Sequence, residues 1–288
     1  MKRVLVISSF VAGSNVGGNV ALKILPQLGC EANLLPTVLF GRHPGWGLPG
    51  GGAVPDEYFA GITSALVANE IPQKSSAIVT GYFASAKQVK QTAELIDRHM
   101  SSDQPLIVDA VMGDFGKGLY VKEEVAEAIV SLLIPRARLV KCNAWEFWEI
   151  ERRLGNRSSM PECPQNLTVL SDHLKMLPTR RGRWLVTSVQ DGPLTGLFGF
   201  HESDNAYSGI ERRQVDHLPN GLGDAITALV ALASHSPQTT ISDYIGQAMR
   251  YLSALIDVQI TDRASELNLL GFQLHDQNGD IPDIRKVW

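Results

Sequence analysis

The chain is short of cysteine, of clustered basic residues and of long apolar runs, and each shortage removes a class of function. Its 288 residues include three cysteines, Cys30, Cys142 and Cys163. They have no paired spacing and no histidine at a metal-ligand interval. That argues against a disulfide framework and for a reducing, cytoplasmic setting. Lys and Arg total 26 against 30 Asp and Glu, a net charge of −4. With no long basic run, neither nucleic acid nor an anionic membrane is expected as the main partner. The short cluster Arg180, Arg181 and Arg183 reads as a solvated turn before a strand. No apolar run approaches the roughly 20 residues that cross a bilayer. The opening "MKRVLVISSFVAG" has two basic residues before an apolar stretch, but Ser8, Ser9 and Gly13 interrupt it. It reads as a buried first strand and not as a leader.

What is present is the composition of an ordinary globular enzyme, 44% hydrophobic and 19% charged, enough to bury a sizeable core. Apolar runs suited to buried strands fall at 3–8, 31–40, 76–82, 105–110, 137–142 and 183–188. Helical spacing separates them, over 17–28 (ended by Gly29), after Pro55, over 86–100 and over 122–134, where Pro135 stops the pattern. This alternation predicts βαβ units and an α/β fold of three αβα layers around a mainly parallel sheet. From residue 191 turn signals and period-2 stretches, "DGPLTGLFGFH" and "RRQVDHLP", predict antiparallel strands at the sheet edge. Helices return after 223, and the last 50 residues carry a generic helical pattern. No linker or repeat divides the chain, so 1–288 reads as a single domain.

In such folds ligands sit at the carboxyl ends of the parallel strands. The residues that follow the expected strands include Ser8, Ser9, Thr37, Tyr82, Asp109, Asp114, Asn143, Glu146, Thr187 and Ser188. Asp224 joins them in "PNGLGDAITALVALA". There Gly221-Leu222-Gly223 can turn backbone N–H groups toward one point at the start of an apolar helix, whose dipole adds positive charge. Such an anion hole suits a phosphoryl group in transit, with Asp224 beside it as a base. Alternatively Asp224 is a favourable first-turn acid. "NAWE" is likewise open. Asn143 and Glu146 have the spacing of a helix capping box, or they hold Mg²⁺ through waters. Asp109 and Asp114 could serve a metal or nucleotide, and Thr187 and Ser188 could meet phosphate oxygens. The segment 41–52, "GRHPGWGLPGGG", reads either as a mobile flap over a ligand or as a plain connection.

Two phosphate motifs are excluded. Lys117 in "GDFGKGL" lacks the P-loop spacing, and Gly13, Gly17 and Gly18 do not form the dinucleotide fingerprint after a first strand.

Taken in order, "SSFVAGSNVGGN", "PTVLFGRH", "TGYFAS", "VDAVMGD", "NAWE", "VTS" and "PNGLGD" resemble the ribokinase-type kinases, and within them the pyridoxal kinases. The likeness runs from about residue 4 to 235. It implies a ribokinase-like fold and ATP-dependent phosphorylation of the 5′-hydroxymethyl group of a vitamin B6 compound. Asp224 would be the base and Gly221, Leu222 and Gly223 the anion hole. Asp109, Asp114, Asn143, Glu146, Thr187 and Ser188 would serve ATP, with Asp109, Asn143 and Glu146 around Mg²⁺. On the vitamin side Ser9, Val16, Thr37, His43 and Tyr82 would line the pocket. The resemblance also implies a homodimer and leaves a monovalent cation open as a further cofactor. The chain departs from the family pattern at Phe10, Ala110, Lys141 and Leu222. Hydroxymethylpyrimidine kinases typically carry cysteine where Asp224 stands. A hydroxymethylpyrimidine, a sugar or a nucleoside remains the alternative substrate, and a non-catalytic vitamin- or nucleotide-binding protein the alternative class.

Overall fold

Alternating apolar strands and amphipathic helices assemble, in a computed structural model, around one ten-stranded sheet. The structure describes residues 2–176, 183–201, 206–211, 219–233, 239–262, 267, 269 and 284–287. The first half begins with β1 (Lys2–Val11), α1 (Gly18–Gln27), β2 (Cys30–Phe40), β3 (Gly51–Ala53), α2 (Asp56–Ala68) and α3 (Ile71–Lys74). It continues through β4 (Ala77–Thr80), α4 (Ala86–His99), β5 (Leu106–Asp109) and the small hairpin β6 (Gly113–Asp114) and β7 (Gly118–Leu119). Then come α5 (Glu123–Ala128), β8 (Leu139–Asn143), α6 (Ala144–Arg153), α7 (Leu167–Lys175) and β9 (Arg183–Asp191). The last elements are β10 (Leu194–His201), β11 (Ala206–Ile210), α8 (Leu222–Ala233), α9 (Ile241–Asp262) and β12 (Ile284–Lys286).

Across the sheet the order is β12-β11-β10-β9-β8-β5-β4-β1-β2-β3. Strands β2, β1, β4, β5, β8 and β9 are parallel. At the two edges β3 and the group β10, β11, β12 are antiparallel. Side chains alternate across the pleat: Leu5 and Ile7 of β1 enter one buried cluster, Val4 and Val6 the other. Helices cover both faces, which is why the central strands are continuously apolar rather than alternating. The expected three-layer fold is the one observed.

Several expectations are corrected in detail. The pattern over 122–134 is not one α-helix; α5 widens into a π turn at Ile129–Leu133 and tightens into a 3₁₀ turn at Ile134–Arg136. Pro135 sits inside that last turn, where its missing N–H does little harm. The last 50 residues are not uniformly helical, since β12 adds a strand beside β11. The glycine-rich segment has regular structure within it: Pro44–Trp46 form a 3₁₀ turn and β3 pairs back on β2. Gly51 makes that return possible, with φ of +74° and a site where a Cβ would lie 2.0 Å from the Leu39 carbonyl oxygen. Arg180 and Arg181 and the stretch 212–218 lie outside the described residues.

Candidate active site

Because six strands run parallel, their carboxyl ends share one rim, and polar residues there face a common space. β5 ends at Asp109 and β8 at Asn143, while β9 runs on past the expected end at 188 to Asp191 and carries Thr187 and Ser188 in its middle, where its pairing with β8 stops. A cavity of about 270 Å³ opens at this rim. It is lined by Asp109, Asp114, Asn143, Glu146, Thr187, Ser188, Asp224 and the turn 219–223. Every residue expected on the ATP side therefore comes to one place.

The anion-hole turn is built by a backbone that only glycine accepts readily. Gly221 has φ of +92°, and a Cβ there would lie 2.0 Å from the Asn15 carbonyl oxygen. The turn leads directly into α8, whose first amides have no acceptor within the helix. Behind it Ala225, Ile226, Ala228, Leu229, Val230 and Ala231 are all buried, packed among the sheet, α1 and α9. Burial on every side explains the apolar run and holds the turn in place.

Asp224 lies half-buried in the first turn of α8. Its Oδ2 accepts the backbone N–H of Gly17, the residue preceding α1, at 2.8 Å. Burial above all, and then the charge of Asp109, push its carboxyl up to about 6, against the opposing pull of the Gly17 N–H and Lys141. A carboxylate in that range is a usable proton acceptor near neutral pH.

Beside it stands a group that the sequence suggested only as a departure. Lys141, in the middle of buried β8, donates from Nζ to Asp109 Oδ1 and Oδ2 at 3.0 and 3.1 Å. Thr227, one turn into α8, donates to the same Asp109 Oδ2 at 2.6 Å. Burial pulls the Lys141 ammonium down, yet the carboxylates of Asp109, Glu146 and Asp224 outweigh it and hold the pKa above its ordinary value.

Of the two readings of the Asn143 and Glu146 spacing, the structure shows the capping box. Asn143 caps α6, accepting the Glu146 N–H at 2.8 Å, while Glu146 Oε2 accepts the Asn143 N–H at 2.7 Å. The Asn143 amide also donates to the Gly113 carbonyl at 2.9 Å, and Glu146 Oε1 accepts the Met112 N–H at 2.9 Å. The capping box thus ties β8 to the β6–β7 hairpin and aims a buried carboxyl at the cavity. Burial first, and Asp109 next, raise Glu146 to about 7 despite Lys141 and the backbone donors. Asp114 is half-buried on that hairpin, its Oδ1 accepting the Phe115 N–H at 2.8 Å. Ser188 is exposed with φ of +57°, a left-handed backbone that is strained for a residue other than glycine.

The residues expected on the vitamin side lie apart from this cavity, around β1, β2 and β4. Ser9 and Val16 are nearly buried on either side of the first loop. Val16 packs near Gly221 and so joins the two halves. His43 precedes the 3₁₀ turn, its Nδ1 accepting the Gly45 N–H at 3.1 Å. Tyr82 is half-buried after β4. Thr37 is fully buried, and its hydroxyl donates to the Tyr82 carbonyl at 2.7 Å. In this arrangement Thr37 braces the Tyr82 loop and has no surface of its own to offer.

As a whole the chain is similar in sequence to known enzymes. Over 271 residues the chain is 37% identical to a pyridoxine/pyridoxal/pyridoxamine kinase of Bordetella avium, covering 92% of this chain and 88% of that one. The chain belongs to the pyridoxal kinase family. A second member, pyridoxal kinase PdxY of Pasteurella multocida, is 33% identical over 259 residues, covering 79% of this chain and 89% of its own. A pyridoxal kinase from Leishmania donovani, solved in complex with ADP and pyridoxamine, superposes with a TM-score of 0.76. Its identity is 26%, and 94% of each chain is covered. No protein-family model matches the chain.

Within the family framework, sequence reasoning missed three contributors. Gly17 holds Asp224 from a position 207 residues away, a pairing no local pattern carries. Thr227 follows Asp224 by three residues, one helical turn, a spacing that would have flagged it. Tyr120 also lines the cavity; the residue is 47% exposed, and desolvation of its phenol, followed by the charges of Glu146, Asp109, Asp114 and Asp224, pushes its pKa up.

Proposed function

We propose that this kinase transfers the γ-phosphoryl group of ATP to the 5′-hydroxymethyl group of pyridoxal, giving pyridoxal 5′-phosphate in vitamin B6 salvage. Pyridoxine and pyridoxamine are the further candidate substrates. The observation that carries the reading is Asp224, a carboxylate tuned to about 6 at the mouth of a helix whose amides face the same cavity.

The chemistry follows from that placement. Oδ2 is held by Gly17, so the carboxylate has a fixed orientation, and it accepts the proton of the attacking hydroxyl. As the phosphoryl group moves, negative charge spreads over its oxygens. The Gly221–Gly223 amides and the α8 dipole meet that charge without reorganising. Thr187, Ser188 and Tyr120 offer hydroxyl donors to the nucleotide phosphates.

Mg²⁺ fits the donor set. Asp109, Asp114, Glu146 and Asp224 line the cavity with Lys141 as the one described cation among its walls. A polyphosphate would be repelled there unless it arrived with a divalent ion. Among the described residues no three His, Cys, Asp or Glu side chains form a cage. Mg²⁺ needs none, since it keeps most of its waters and takes one or two carboxylates besides phosphate oxygens. Glu146 and Asp114 would hold it, with Asn143 orienting Glu146. Bound, the ion would screen charge between the phosphates.

We also place the enzyme in the cytoplasm as a single-domain protomer of a homodimer. None of the three cysteines forms a disulfide. Leu39 of β2 and Tyr58 and Ile62 of α2 are 50%, 63% and 36% exposed, apolar surface that a second copy could cover. Light scattering on the purified protein tests this, and a monomeric mass would reject it.

ADP formation with Mg²⁺ and a panel of pyridoxal, pyridoxine, pyridoxamine, hydroxymethylpyrimidine, ribose and adenosine tests the substrate. Turnover is expected on the B6 compounds. Faster turnover on the pyrimidine, the sugar or the nucleoside would overturn the substrate while leaving Asp224 in place.

A further inference from the structure

We propose that Lys141 is a built-in cation of the phosphoryl-transfer site, one that makes a dissociable monovalent cation unnecessary. The inference rests on the kinase reading above and goes beyond it in assigning this residue.

A lysine in the middle of a buried parallel strand needs a strong reason, because an uncompensated ammonium there is costly. Lys141 sits between Val140 and Cys142 and is 5% exposed. Its neighbours in the strand are apolar, so its partners come from elsewhere. Nζ spans both oxygens of Asp109, at 3.0 and 3.1 Å. The same nitrogen lies under the anion hole: a Cβ placed on Gly223 would be 2.9 Å from it. Only a residue without a side chain leaves the ammonium that close to the backbone which is to bind phosphate. One fixed positive charge therefore stands between the Asp109 carboxylate and the Gly221–Gly223 amides.

The resemblance left a monovalent cation open, and the residues present do not fit one here. Asp109 is the buried carboxylate at this point, 3% exposed. Lys141 takes both of its oxygens, and Thr227 takes Oδ2 a second time at 2.6 Å. A free ion would have to displace an ammonium that is covalently tethered and already desolvated. The tether fixes the charge at the anion hole whatever salt surrounds the protein. Lys141 donates no proton and forms no bond to phosphorus. It lowers the energy of charge accumulating on the transferring group.

A lysine that merely pinned β8 to β5 would give the same hydrogen bonds, so the test must separate the two roles. Initial rates of ADP formation by the full-length protein, with Mg²⁺, ATP and pyridoxal, are measured in tetramethylammonium chloride. They are then repeated in KCl, NaCl and NH₄Cl at equal ionic strength. The wild type should vary by less than about twofold among these salts. Lys141→Ala, which opens space beside Asp109, should lose about 100-fold in kcat in tetramethylammonium, the scale of one lost charge-stabilising donor. Its KM for ATP should move far less. KCl or NH₄Cl should restore much of the loss. Lys141→Met, which fills the space without charge, should lose as much and recover nothing.

A wild type that needs K⁺ would overturn the inference. So would a Lys141→Ala protein that is fully active in tetramethylammonium, or folded by circular dichroism yet unrescued by every salt. If the alanine variant does not fold, the wild-type salt series and the methionine variant still decide. No ADP formation in any salt would sink the kinase reading instead. Calorimetric ADP affinity then tests the lysine separately: it should ignore K⁺ in the wild type and strengthen with K⁺ in Lys141→Ala, and the reverse would reject it.

Discussion

Replacing Asp224 with asparagine should make the protein more stable and nearly inactive at once. Burial and Asp109 raise the Asp224 carboxyl from its ordinary 3.8 to about 6. Because the folded-state pKa is the higher one, the folded protein retains a proton that the unfolded chain has already released between those values. Stability therefore falls as pH rises through that window, and above it the ionised carboxylate is a standing cost. A shift of this size corresponds to at most about 3 kcal/mol, and partial exposure reduces it. Asparagine is nearly the same size and keeps an oxygen for the Gly17 N–H, 2.8 Å away in the wild type. Thermal unfolding near pH 8 should thus show Asp224→Asn melting a few degrees higher, and the gain should vanish near pH 4. Turnover should fall by about 10²–10⁴, the range of a lost general base. ADP binding by calorimetry should persist. The wild type should lose kcat progressively below about pH 6, following the carboxyl. A variant that keeps its kcat within tenfold, or melts lower at pH 8, would refute the reasoning.

Gly221→Ala should cost about 1–3 kcal/mol of stability, since an L side chain at φ of +92° meets the Asn15 carbonyl. It should also lower kcat more than ATP affinity, because the turn carries the amides that meet the moving phosphate. Asn143→Ala removes a helix cap and the bond to Gly113. About 1 kcal/mol of stability should be lost in urea unfolding, together with a rise in KM for ATP. Thr227→Val deletes the hydroxyl on Asp109 Oδ2 with little change of shape. A decrease in kcat with KM for pyridoxal unchanged is expected, and an unchanged kcat would remove Thr227 from the network.

How far the site could be read in advance depended on the range of each interaction. The parallel strands were legible because burial on both faces makes them continuously apolar, as in "RVLVIS" and "PLIVDA". Once those strands were placed, the polar residues after each one had to share a rim. Asn143 and Glu146 could not be resolved by spacing, because one geometry serves cap and cavity together. Lys141 was visible as an odd charge inside "ARLVKC", but its meaning lay in a carboxylate 32 residues away. Gly17 gave no sign at all: its contact with Asp224 crosses from the first helix to the eighth. The widened turn at Ile129–Leu133 escaped for a similar reason, since its side chains keep helical spacing while the backbone does not. β12 escaped because a three-residue edge strand is specified by its partner β11 more than by its own sequence.

The most direct measurement is phosphorus NMR of the purified protein incubated with ATP, Mg²⁺ and pyridoxal. One new phosphate monoester, on the 5′ oxygen and equal in amount to the ADP formed, is the expected result. ADP with inorganic phosphate alone, or an ester at another position, would contradict transfer to the 5′-hydroxymethyl group.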